Sequence, residues 1–172
     1  MRGAMRRVLV SVLAVGALAM SFARRGRADD WTPAWTTASL SQSRACLAAA
    51  AGANTVFFGG GYSASDVSSV VDVWDLSTGT WSTASPSSPS SLSLGRAWIS
   101  ATSAGGKVFF AGGSNGAISD AVDVYDTSAG STGTWSAMTP LSQGGECMGA
   151  TSAGSKVFFA GGINIGVLPA TP

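Results

Sequence analysis

Apolar residues along this chain fall in short runs bounded by turn residues. In the middle of the sequence the runs are about 46–51 (CLAAAA), 55–60 (TVFFGG), 70–75 (VVDVWD) and 80–85 (TWSTAS). The separators GAN, YSASD and STG carry turn chemistry, so each run reads as one short strand. Links this short join only antiparallel neighbours, which predicts a four-stranded meander. Consecutive side chains of a strand point to opposite faces, so the adjacent Phe57 and Phe58 predict a sheet buried on both sides.

The whole pattern then recurs. ATSAGGKVFFAGG at 101–113 returns as ATSAGSKVFFAGG at 150–162, and in degenerate form as AAAAGANTVFFGGG at 48–61. The steps from Phe57 to Phe109 to Phe158 are 52 and 49 residues. VDVWD at 71–75 returns as VDVYD at 122–126, and GTWS at 79–82 returns at 133–136. Trp35 heads a further copy of the tryptophan segment. A period near ~50 residues marks a repeat architecture. A four-stranded sheet covered on both faces by copies of itself is a propeller blade.

The landmarks resemble those of the kelch repeat family of β-propellers. They are the diglycines Gly60 with Gly61, Gly112 with Gly113 and Gly161 with Gly162, and the later aromatic followed by a tryptophan. Trp74 precedes Trp81 by seven residues, whereas Tyr125 precedes Trp135 by ten because TSAGSTGTW carries three extra residues. The resemblance covers about 35–162 and implies an all-β fold, a kelch-type β-propeller arc of four-stranded antiparallel blades that is incomplete in this chain. Its parts are a lone outer strand (35–39), a blade (46–85), a second blade (98–139), a half blade (148–162) and a short tail (163–172). The diglycines end the second strand of each blade where the backbone must turn sharply and approach its neighbour. The large aromatics fill the space between blades.

Propellers close with ~4–8 blades, and an open arc would leave the apolar faces of its terminal blades in water. The leftover strands are a first, a second and a fourth. The expectation is therefore a truncated product of a longer propeller; the alternatives are ring assembly from several chains, with self-association through exposed blade faces, or poor folding.

The N-terminus reads differently. Arg2, Arg6 and Arg7 precede an apolar run from Val8 to Phe22, and small residues follow near 23 and 28. This is the layout of a signal peptide over 1–28, with 29–172 as the mature chain. Fifteen residues span about 22 Å as a helix, short of a ~30 Å hydrocarbon core, which favours cleavage over a stable anchor. Arg24, Arg25 and Arg27 oppose translocation, leaving a twin-arginine route or an uncleaved anchor as alternatives. The predicted location is secreted, periplasmic or cell surface.

Removing that segment changes the charge picture. The full chain has ten basic and nine acidic residues, but from Asp29 onward four cations (Arg44, Arg96, Lys107, Lys156) face all nine acids. A body with this negative balance cannot neutralise phosphates, so nucleic acid and anionic membrane surfaces are excluded as partners. The chain has no histidine, which rules out a Ser-His-Asp triad, a Cys-His dyad and a histidine-ligated metal. No metal or other cofactor is expected, and kelch-type copper oxidases drop out. Asp72, Asp75, Asp123 and Asp126 recur at repeat positions and read as turn caps or strand-edge hydrogen-bond acceptors. Cys46 and Cys147 occupy the same position of non-adjacent copies, which predicts two small buried thiols and no disulfide.

Arg44 and Arg96 each lie twelve residues before the valine of VFF, where a loop between blades enters the innermost strand. The resemblance offers them as a rim that reads acidic groups; the alternative pairs them with loop carbonyls or aspartates. The third copy has Gly145 in that position. The functional expectation is a non-enzymatic kelch-like module that binds a protein or glycan through loops near 40–45, 61–69, 86–97, 113–121 and 140–146. A sugar-active enzyme, resembling a sialic acid epimerase, and an inactive repeat fragment are the alternatives.

Overall fold

The structure is a computed structural model that describes residues 17–22, 34–84, 91–128 and 133–164. The N-terminal arginines, the cleavage positions near 23 and 28, the loop residues 86–90 and the tail beyond 164 lie outside the described residues. The chain divides into two units, Met1–Ser43 and Arg44–Pro172. In the first, β1 (Ala17–Phe22) pairs antiparallel with β2 (Ala34–Ser39), from Ala17 opposite Ser39 to Phe22 opposite Ala34. The strand expected alone at 35–39 is thus present and paired, and its partner falls within the apolar run read as an export signal.

The second unit is all-β and carries the repeat. Its first sheet runs β3 (Ala48–Gly52), β4 (Thr55–Gly59), β5 (Val71–Asp75) and β6 (Thr80–Ala84), in that spatial order. Its second runs β7 (Ser100–Ala104), β8 (Lys107–Ala111), β9 (Val122–Asp126) and β10 (Thr134–Ala137). A two-stranded sheet follows, β11 (Gly149–Ala153) with β12 (Lys156–Ala160). All neighbours are antiparallel. These are the meanders that the four apolar runs predict, with strand limits within two residues.

The paired phenylalanines do what alternation requires. Phe57, Val71 and Val73 of the first sheet pack against Val108, Phe110 and Tyr125 of the second, and the rings of Phe57 and Tyr125 lie 4.8 Å apart. Phe109, Val122 and Val124 face the other way, onto Met148, Val157 and Phe159. The adjacent Phe109 and Phe110 therefore belong to two different cores, and each buried phenylalanine contributes about 1.5–3 kcal/mol. Trp135 packs beside the first core, edge-on to Tyr125 at 5.1 Å, and Trp74 meets Trp81 in the same way at 5.1 Å.

The register also sorts the connections. Ala48, Gly59, Val71 and Ala84 are aligned at one end of the first sheet, so the long connections 60–70 and 85–99 both leave from that end. The tight turns lie at the other. The second sheet repeats this with 112–121. At the long-loop end the diglycines make the closest backbone approaches. Gly112 has φ 67°, and a Cβ there would lie 2.2 Å from the carbonyl oxygen of Gly145 in the next repeat. No L-residue fits that space in that conformation.

Candidate functional site

The long-loop end is built on two buried ion pairs. Arg44 Nη2 donates to Asp72 Oδ2 at 2.7 Å, and Arg96 Nη2 donates to Asp123 Oδ2 at 2.8 Å. Both arginine side chains are fully enclosed, at 0% exposure. Arg96 uses its whole fork: Nε donates to the Gly112 carbonyl at 2.8 Å and Nη1 to the Leu94 carbonyl at 3.3 Å. Asp123 in turn accepts the Ser93 backbone N–H at 3.0 Å. One side-chain pair thereby ties the loop entering β7, the turn after β8 and strand β9 together.

Arg44 is less fully served. Besides Asp72 it reaches the Phe58 carbonyl at 3.4 Å, and its Nε and Nη1 have no hydrogen-bond acceptor. Burial pushes its pKa below the ordinary arginine value, and the Asp72 carboxylate opposes that shift. Neither guanidinium faces solvent, and each gives its Nη2 to an aspartate, Arg44 to Asp72 and Arg96 to Asp123. The pairing with aspartates and loop carbonyls is the arrangement found.

Backbone hydrogen bonds extend this framework from repeat to repeat. Gly61 N–H donates to the Arg96 carbonyl and Gly113 N–H to the Gly145 carbonyl, both at 2.8 Å. Ser68 and Ser119 play matching roles, donating their N–H groups to the carbonyls of Gly61 and Gly113 at 2.8 and 2.9 Å. Their hydroxyls accept from the N–H groups of Val70 and Ala121. Loops fixed in this way hold their side chains in place before any partner arrives.

Nearest the inner strands, three equivalent residues form a chain of their own. Trp98 N–H donates to the Cys46 carbonyl, and Cys147 N–H donates to the Trp98 carbonyl, each at 2.9 Å. All three adopt the left-handed conformation, at φ 55°, 53° and 56° in chain order. That conformation costs an L-residue roughly 1–2 kcal/mol, offset here by the repeated hydrogen bonds. Trp98 is 41% exposed, Tyr62 is 47% exposed, and both cysteines are exposed and unbridged. The expectation of buried thiols is corrected: a left-handed residue at the start of the inner strand turns its side chain away from the blade core.

The other two recurrent aspartates, Asp75 and Asp126, serve turns at the other end. Asp75 accepts from the N–H and hydroxyl of Ser77, and these, the hydroxyl first, hold its carboxyl below the usual carboxylate range. Lys107 and then the Ser128 N–H do the same for Asp126. Burial raises the Tyr125 hydroxyl above its ordinary value. Among the described residues no group of three or more potential metal ligands comes together, and no helix is long and apolar enough to cross a membrane.

The sequence singled out the structural aromatics, diglycines and arginines but passed over Trp98. Its signal was present: Cys46, Trp98 and Cys147 are equivalent in the repeat, and no core position accepts a thiol and an indole interchangeably. The family model described as the Kelch motif matches residues 43–88 and 97–142, together more than half of the chain. No curated protein matches the chain.

Proposed function

The chain belongs to the kelch-repeat family, and from that membership we propose that it is an exported, non-enzymatic binding module whose long-loop face takes a protein or a glycan. The observation that carries the proposal is Trp98: a large exposed indole on a backbone fixed by hydrogen bonds to both neighbouring repeats. Tryptophan and tyrosine anchor interfaces and stack on sugars because they bring large, rigid apolar area with little conformational entropy to lose. Trp98 is not a packing residue of either core. Buried ion pairs and inter-repeat bonds supply the stiffness, and the exposed aromatic supplies the contact.

Export rests on the basic, apolar and small-residue order of residues 1–28. Mass spectrometry of the protein recovered from expressing cells tests it; a retained, intact N-terminus in the cytosolic fraction overturns it.

Binding is tested by presenting the purified chain to glycan and protein arrays. Stoichiometric binding that Trp98→Ala abolishes, with unchanged melting, supports the module. Turnover of a sugar by the chain, or binding indifferent to Trp98→Ala and Tyr62→Ala, overturns it.

A further inference from the structure

The chain has three asparagines, and the fold treats one of them differently. Asn54 is followed by Thr55, the first residue of β4, which is only 1% exposed. Asn164 donates its Nδ2 to the Gly144 carbonyl at 2.9 Å and is followed by Ile165. Asn115 is followed by Gly116, and both are exposed in the turn that the Ser114 to Ile118 bridge brackets. Among the described residues no hydrogen bond holds the Asn115 side-chain amide, and the Gly116 N–H donates to no backbone carbonyl. Gly116 lies at φ 100°, with open space where a Cβ would stand.

The side-chain amide of an asparagine is one ring closure away from the backbone nitrogen of the residue that follows it. A glycine leaves that nitrogen uncrowded, whereas a β-branched residue shields it. We propose that Asn115 is a site of spontaneous deamidation, which places a new carboxylate on the long-loop face. The Gly116 nitrogen attacks Asn115 Cγ: the N–Cγ bond forms, the Cγ–Nδ2 bond breaks, and ammonia leaves with the proton of the Gly116 nitrogen. Water then opens the cyclic imide. Opening at Cγ gives aspartate, and opening at the main-chain carbonyl gives isoaspartate, whose backbone runs through Cγ and is one methylene longer. Water is the only co-reactant. The change falls beside Trp98, because Ser114 and Ala97 exchange N–H to carbonyl bonds at 2.9 Å in both directions and Trp98 follows Ala97. The reaction itself does not depend on what Trp98 binds.

The test is incubation of the full chain in mildly alkaline buffer at physiological temperature, then digestion in acid, where the reaction is slow, and mass spectrometry. The fragment containing Asn115 is expected to gain the mass of an amide-to-acid exchange. Part of that fragment should accept a methyl group from S-adenosylmethionine through an isoaspartyl-specific methyltransferase. Because the site lies in an exposed loop, its rate in the folded chain should be within about fivefold of that in a synthetic peptide of residues 110–121, FAGGSNGAISDA. Asn115→Gln, which keeps the amide but must close a larger ring, should abolish the gain. Gly116→Ala, whose Cβ enters open space, should slow it roughly tenfold. Asn54 and Asn164 should stay intact over the same period. A folded chain that keeps Asn115 intact while the peptide reacts, or that deamidates first at Asn54 or Asn164, overturns the proposal. So does a gain within 110–121 that survives in Asn115→Gln.

Discussion

The Arg96 guanidinium meets the Asp123 carboxylate at 2.8 Å with 0% and 4% of the two side chains exposed, and Arg44 repeats the contact with Asp72 one repeat earlier. A buried ion pair is stable only as a pair, because either charge alone in the interior carries an unmet desolvation cost. Arg96→Met is therefore expected to destabilise the chain by about 3–5 kcal/mol, a large part of the roughly 5–15 kcal/mol typical of a domain. The double variant Arg96→Met/Asp123→Asn keeps an acceptor for Ser93 N–H and should cost clearly less than the sum of its single variants. Urea denaturation of the four proteins closes this cycle, and additive losses would show that the pair is not coupled.

The diglycines allow backbone strain and inter-repeat crowding to be separated. Gly112 and Gly161 have nearly equal φ, 67° and 71°, but only Gly112 lies against a neighbouring carbonyl. Gly161→Ala should cost only the left-handed penalty, about 1–2 kcal/mol. Gly112→Ala adds a 2.2 Å clash with backbone that cannot move aside, so it should cost more than Gly161→Ala in the same denaturation assay. Equal losses would mean that the close approach at Gly112 relaxes freely.

The strands and their order were legible because each depends on local pattern: alternating burial, turn residues and a diglycine stop. Phe57 and Phe58 alone imply two buried faces. The Arg44–Asp72 pair was only half legible. Both residues recur, at separations of 28 and 27 residues, but pairing them requires knowing that the loop before the inner strand folds back over the third strand of its own blade. The exposure of Cys46 and Cys147 was hidden by the usual apolar preference of a thiol. Their positive φ, which no local sequence rule assigns to cysteine, decides it.

Exposed thiols at Cys46 and Cys147 predict a labelling result. Under native, non-reducing conditions a maleimide should add to both cysteines, giving two adducts by intact mass without denaturant. Rapid labelling follows from access to solvent, since the protected thiols of a core react only on unfolding. A native chain that takes no label until denatured would return both thiols to the interior.

Acid should weaken the turn end. The Asp126 carboxyl is depressed by Lys107 and by Ser128, and the Asp75 carboxyl by Ser77. A carboxyl whose folded pKa lies below its unfolded value, about 3.9 for aspartate, stabilises the fold above that value. The contribution is lost as pH falls through the folded value. Denaturation midpoints should therefore fall below about pH 4, and Asp126→Asn should flatten the decline. An unchanged slope in Asp126→Asn would show that other carboxylates carry the acid sensitivity.

The three equivalent phenylalanines give a graded test of how far the repeat core extends. Phe57 is 0% exposed, Phe109 8% and Phe158 48%, at the same position of successive second strands. Truncating a fully packed phenylalanine removes its transfer free energy and leaves a cavity, together about 3–5 kcal/mol. Phe57→Ala and Phe109→Ala should both reach that range by calorimetry or urea titration. Phe158→Ala removes a ring already half in water, with no further repeat packed on it among the described residues, so it should cost well under half as much. A cost at Phe158 equal to that at Phe109 would mean that its ring is as fully packed as its counterparts.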